Sequence, residues 1–224
     1  MIYFPHIPKA GGTTLKQILY HAFGENNCLK VWNGFASDVD VDDFHQFTHL
    51  EQYSAILGHL PVKVFLENVT ANNLLKNKKI KIITAVRDPL ERLVSQYNYI
   101  RVNAEHPDHT KFLTVPLLGY MFAQPANQQV SFLSFEDEIR KDDIELFPIE
   151  SSVENFAAFL ENESGKYINR IDPRNRTSDI AGERTLSSLD DLPNDLILEL
   201  QEKHLKDIAL YHLAQKNVFK NRGL

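Results

Sequence analysis

The segment His6-Ile7-Pro8-Lys9-Ala10-Gly11-Gly12-Thr13-Thr14 sets a lysine, two glycines and two threonines where an apolar stretch gives way to a helix. Backbone N–H groups at such a turn, together with the helix N-terminus, form an anion site for phosphate or sulfate. Gly11 and Gly12 let the backbone approach the ligand, Lys9 adds a full positive charge, and Thr13 and Thr14 add hydroxyls. The string is not a Walker A loop. Laying Gly-x-x-x-x-Gly-Lys-Ser/Thr over Ile7 to Thr14 matches only Gly12 and Thr14, and the lysine stands ahead of the glycines. A P-loop-type kinase using ATP and Mg²⁺ is an alternative enzyme class, and the displaced lysine weighs against it.

A second cluster is Arg87-Asp88-Pro89-Leu90-Glu91-Arg92-Leu93-Val94-Ser95-Gln96-Tyr97. Asp88 is a good N-cap, Pro89 suits the first helical position, and Glu91 completes a variant of the capping box. Ser95 lies seven residues beyond Asp88, two helical turns, so its hydroxyl shares a face with the helix start where Arg87 sits. Arg87 can grip an anion through two N–H groups and Ser95 can add a third hydrogen bond. The plainer alternative is surface pairing of Arg87 and Arg92 with Glu91 or Asp88, worth at most about 1 kcal/mol.

The elements that must carry these clusters follow from hydropathy. Ile2 to Ile7 predicts a short buried strand, and Leu15, Ile18, Leu19, Ala22 and Phe23 recur at the period of one helix face, with Gly24 as the stop. Residues 25–53 are polar and weakly patterned and predict loops with short helical pieces. Ser54 to Leu57 predicts a strand ending at Gly58-His59. Lys79 to Val86 is a near-continuous apolar run that suits a parallel strand covered on both faces. Beyond residue 103 the pattern predicts helices near 117–123, 128–142 and 151–162 and a long one from about Pro193 to Lys216, with His204 packed in the core. Asn169 to Arg184 reads as a basic loop. The alternation points to an α/β domain with a mainly parallel sheet.

Pro8 to Leu15 resembles the 5′-phosphosulfate loop of sulfotransferases that use 3′-phosphoadenosine 5′-phosphosulfate (PAPS), nearest the glycan group of the heparan sulfate 2-O- and 6-O-enzymes. Arg87 to Tyr97 resembles the same family's 3′-phosphate element. The resemblance covers residues 2–102 well. It implies a P-loop-like three-layer α/β fold with a helical C-terminal half, residues 1–224 as a single sulfotransferase-like domain, and PAPS as donor with no metal. It also implies cofactor contacts from Lys9, Ala10, Gly11, Gly12, Thr13, Thr14, Arg87 and Ser95.

Sulfuryl transfer needs a cation for the charge on the bridging and sulfuryl oxygens, and Lys9 is the natural group. It also needs a base for the acceptor hydroxyl, and histidine suits neutral pH. His59 is the choice: it ends the second recognised strand, at the edge where open α/β sheets bind ligands, and the resembled enzymes place a catalytic histidine between the two motifs. His6, read as a buried structural residue, and His49, read as a loop residue, are the alternatives. Asn175, Arg176 and Thr177 are candidates for the loop that closes over the adenine. Trp32, Tyr97, Tyr99 and Tyr120 either stack on a sugar or fill the core.

Composition bounds the rest. The 224 residues include 24 Lys+Arg, 30 Asp+Glu and 1 Cys, so neither a disulfide scaffold nor a cysteine zinc site is available. A net charge of −6 argues against bulk nucleic-acid binding and leaves local focusing at Lys9 and Arg87. There is no apolar run long enough to span a membrane and no basic leader before Ile2, so the expectation is a soluble, bacterial-type, cytoplasmic enzyme without nucleic-acid or membrane partners. The partner expected is a hydroxyl-bearing glycan or glycoconjugate. A non-catalytic nucleotide- or glycan-binding module on the same fold is the third function class.

Overall fold

The computed structural model describes residues 1–32, 43–44, 49–71, 79–134, 144–169, 181 and 186–221. Its centre is a five-stranded sheet: β1 (Ile2–Pro5), β2 (Cys28–Val31), β3 (Ala55–Gly58), β4 (Lys81–Val86) and β5 (Ile144–Pro148), in the order β2-β3-β1-β4-β5. All four pairings are parallel. The helices are α1 (Gly12–Phe23), α2 (Val62–Ala71), α3 (Pro89–Val102), α4 (His109–Phe112), α5 (Leu117–Ala123), α6 (Gln128–Leu133), α7 (Ser152–Ser164), α8 (Asn194–Lys203) and α9 (Leu205–Asn221).

Strand side chains alternate between faces, and the two faces feed two cores. Tyr3, Leu29, Val31, Ile56, Ile82 and Leu146 pack with Val62 and Phe65 of α2, Val130 of α6 and Leu210 of α9. Ile2, Phe4, Leu57, Ile83, Ala85 and Phe147 pack against Leu15, Ile18 and Leu19 of α1 and Phe156 and Leu160 of α7. A third cluster joins α3, α5 and α8 through Leu93, Tyr97, Tyr120, Met121 and Leu200. The result is the expected three-layer α/β architecture with helices dominating the C-terminal half. Among the described residues, no helix is long and apolar enough to cross a membrane.

Four expectations change. Residues 25–53 hold a strand, β2, beside the short turns; its four residues are too few to show a period, with Lys30 interrupting them. The helix expected over 128–142 stops at Leu133, where Ser134 turns to φ 52°, and residues 135–143 lie outside the described ones. Strand β5 follows, which the helical reading of that half missed because Glu145 interrupts its apolar run.

The fourth change is at the C-terminal end. The long helix from Pro193 breaks at His204 into α8 and α9. Asn127 Oδ1 accepts the N–H groups of Lys206 and Asp207 at 3.0 and 3.2 Å, so a side chain from elsewhere in the fold caps the start of α9. His204 itself is fully buried, as expected, and its Nδ1 accepts the Asn127 N–H at 3.3 Å.

Candidate functional site

Strands β1, β3 and β4 end at one rim, and each delivers one of the expected groups. The β1–β4 register runs only through Tyr3↔Ile82; beyond it the buried Thr84 hydroxyl donates to Pro5 O at 2.8 Å and holds the two strand ends together. The chain leaves β1 for β2 on one side, returns to β3, and then crosses to β4 on the other side of β1, so the direction of winding reverses beside β1. Such a crevice is where open parallel sheets bind ligands.

A cavity of about 1480 Å³ opens there. Lys9 and Gly11 line it from the β1–α1 loop, Gly12, Thr13 and Thr14 from the first turn of α1, His59 from the end of β3, Arg87 from the β4–α3 turn and Ser95 from the second turn of α3. Ala10 is the exception among the expected residues: its side chain sits in the core and its N–H donates to Ile7 O at 3.2 Å. The N–H groups of Gly12 and Thr13 precede the first helical hydrogen bonds of α1, in which the Thr14 and Leu15 N–H groups donate to Gly11 O at 3.1 and 3.3 Å. Lys9 adopts φ 65° and Gly11 φ 81°, and this pair of left-handed residues wraps the loop onto the helix start.

The lysine is already tuned. Burial, and then the like charge of Arg87, lower the pKa of Lys9 to about 8. Its Nζ lies 4.0 Å from the centroid of the Tyr99 ring, a cation–π contact that holds the ammonium in the cavity. Asp88 caps α3 as expected, its Oδ1 accepting from the N–H groups of Leu90 and Glu91 at 3.0 and 3.1 Å. Arg87 makes a 3.5 Å ion pair with Glu91 that solvent weakens. Arg92 turns inward instead, buried and bonded to Gln96 and Gln128.

Two histidines meet at the loop. His6 N–H donates to Gly58 O at 2.7 Å and His59 N–H to Val31 O at 3.0 Å, which sets their rings 4.8 Å apart. Gly58 is required there, because a Cβ on it would lie 1.7 Å from Val31 O. Gly12 is required for a different reason: a Cβ on it would lie 1.8 Å from the His6 ring. His6 is thus packed, stacked on Phe4, but it also forms the cavity wall beside His59, which the purely structural reading missed. Its distance of three residues from Lys9 was the available signal. His49 is exposed, pairs with Glu51 at 3.5 Å and stays outside the cavity.

His59 is open to solvent through the cavity mouth, and crowding on its other side lowers its pKa below the usual value. Trp32 stands 6.4 Å from it, ring centroid to centroid. Of the other aromatics singled out, Tyr99 lines the cavity, while Tyr97 and Tyr120 are core. Asn169 reaches the cavity; Arg170, Arg174, Asn175, Arg176, Thr177 and Arg184 lie outside the described residues.

Burial and the neighbouring His59, Lys16 and Lys9 push His6 down to about 3, and burial with nearby cations pushes His204 to about 4. Folded values below the unfolded value mean that stability is fully present above about pH 6.5 and is lost as pH falls toward 4. Each such imidazole costs up to about 1.4 kcal/mol per pH unit in that window. Buried Asp207, whose pKa is raised, works in the opposite sense, one group against the three histidines. Urea midpoints should therefore fall between pH 7 and pH 5; a midpoint that holds or rises contradicts the neutral burial of these rings.

Comparison with known proteins adds three findings. A family model described as "Sulfotransferase family" matches residues 1–143. A search of curated proteins gives no match. Among solved structures, the mouse sulfotransferase SULT7A1 complexed with PAP superposes with a TM-score of 0.56 at 16% identity, covering 96% of this chain and 88% of that one. At that identity the superposition establishes the fold.

Proposed function

The chain belongs to the sulfotransferase family, and from that premise we propose that it moves the sulfuryl group of PAPS to a carbohydrate hydroxyl, with His59 as general base. One observation carries the reading: Lys9, Arg87, Ser95 and His59, from three strand ends far apart in sequence, line a single cavity. The donor set fits a polyanionic nucleotide. It combines a helix N-terminus, a lysine, an arginine and three hydroxyls, and the cavity is large enough for a nucleotide with an acceptor beside it.

The donor would supply an activated sulfuryl group on its 5′-phosphate. An imidazole nitrogen of His59, neutral at physiological pH, takes the acceptor's hydroxyl proton as that oxygen bonds to sulfur. Lys9 meets the charge that grows on the bridging oxygen as the opposite S–O bond breaks, and the N–H groups at the start of α1 meet the 5′-phosphate. Arg87 and Ser95 hold the 3′-phosphate. For a sugar acceptor, the aromatic side chains near the base are Tyr99, which lines the cavity, and Trp32, 6.4 Å from His59 and outside that lining. Residues 1–224 act as one domain in this reading, since α9 contributes Leu210, Tyr211 and Ala214 to the same core as β1 and β3.

Calorimetry with 3′-phosphoadenosine 5′-phosphate (PAP) tests the donor assignment. Binding without added metal is expected, followed by transfer of labelled sulfuryl from PAPS to a member of a glycan panel. Absence of PAP binding overturns the reading. Binding without transfer to any acceptor class would reassign the chain to a non-catalytic module.

A further inference from the structure

The chemistry above gives no role to a buried polar chain that ends on Arg87. Gln129, at the start of α6, has no solvent exposure. Its Oε1 accepts the Arg87 N–H at 3.0 Å, and its Nε2 donates to Arg87 O at 2.7 Å. One carboxamide therefore satisfies both backbone groups of a single residue, as a neighbouring strand would. The position matters, because the pairing of β4 with β5 ends at Val86↔Pro148, one residue before Arg87.

Gln129 is held in turn from α9. Its N–H and that of Val130 donate to the two oxygens of Asp207, at 3.1 and 2.8 Å, and Asp207 is fully buried. Asp207 lies 78 residues further along the chain from Gln129. A buried carboxamide with both ends satisfied has one orientation, so the Arg87 backbone has one too.

We propose that Gln129 is a positioning residue that fixes Arg87 for the 3′-phosphate of the nucleotide, with Asp207 of α9 holding Gln129 in place. The proposal rests on the assignment of Arg87 to that phosphate under the function proposed above. A residue that merely stabilises the fold would affect all nucleotides alike. A residue acting through Arg87 affects only those carrying a 3′-phosphate.

The test compares PAP with adenosine 5′-monophosphate, which lacks that phosphate, by calorimetry on the full chain. Wild type should favour PAP. Gln129→Met should weaken PAP binding at least tenfold and leave the monophosphate within twofold. In the double variant with Arg87→Met, the Gln129 change should add nothing to the loss from Arg87→Met alone. If Gln129→Met does not fold, Gln129→Asn, one methylene short of both backbone groups, carries the same comparison. Equal losses for both nucleotides, unchanged PAP affinity, or additive losses overturn the proposal while the donor assignment stands. Wild type that binds PAP no better than the monophosphate overturns the assignment of Arg87, and wild type that does not bind PAP overturns the donor reading; the proposal falls with either.

Discussion

Replacing His59 with alanine should lower turnover by roughly 10²–10⁴-fold, the range for losing a positioned general base, while PAP affinity stays within about twofold. The separation of effects comes from the sheet order. β1 stands between β3 and β4, so His59 enters the cavity from one side of the anion loop and Arg87 with Ser95 from the other. Steady-state transfer assays and calorimetry on the same variant check both halves. The lowered pKa of His59 adds a second readout: the acid limb of the wild-type kcat/KM profile should lie below pH 6.5, since the base stays neutral further into acid than a free imidazole. His6, its ring 4.8 Å away, is the rival. Activity that survives His59→Ala and disappears in His6→Ala would transfer the role of base to His6.

Lys9→Met is the second large effect, with a loss of roughly 10²–10³ in kcat, comparable to removing one donor that stabilises developing charge. Methionine keeps a long stem over Tyr99 and accepts the same backbone, so the change isolates the ammonium. The depressed pKa gives the pH signature its sign. Lys9 is charged below about 8 and neutral above, so wild-type PAP affinity should fall as pH rises past 8, approaching about tenfold per unit where the bound lysine stays protonated. The same titration on Lys9→Met should be flat over that range. A wild-type profile flat to pH 9.5 would mean that the lysine does not meet the nucleotide's charge.

The β1–α1 loop was legible because its causes are local. Pro8 to Thr14 carries its own turn, glycines and helix start, and Asp88 with Pro89 writes the beginning of α3 into adjacent residues. The same holds for β4, whose apolar run needs no partner to be seen. Strands β2 and β5 were not legible, because four or five residues with a charge among them show no period; each becomes a strand only because β3 and β4 offer unpaired edges. The break at His204 was hidden for a related reason. The residues there continue a helical pattern, and the competing hydrogen bonds come from Asn127, some 80 residues earlier in the chain.

By itself, then, the sequence determined the parts whose causes lie within a few residues: the loop with Lys9, the capped helix with Arg87 and Ser95, and an α/β plan from alternating periods. Tertiary structure alone decided that His6 stands against His59, that Lys9 rests over Tyr99, and that Gln129 fixes the backbone of Arg87. Each is a meeting between elements whose contacting residues stand 42 to 90 positions apart in the chain. Short-range periodicity encodes which face of an element is buried, but not which distant element will cover it.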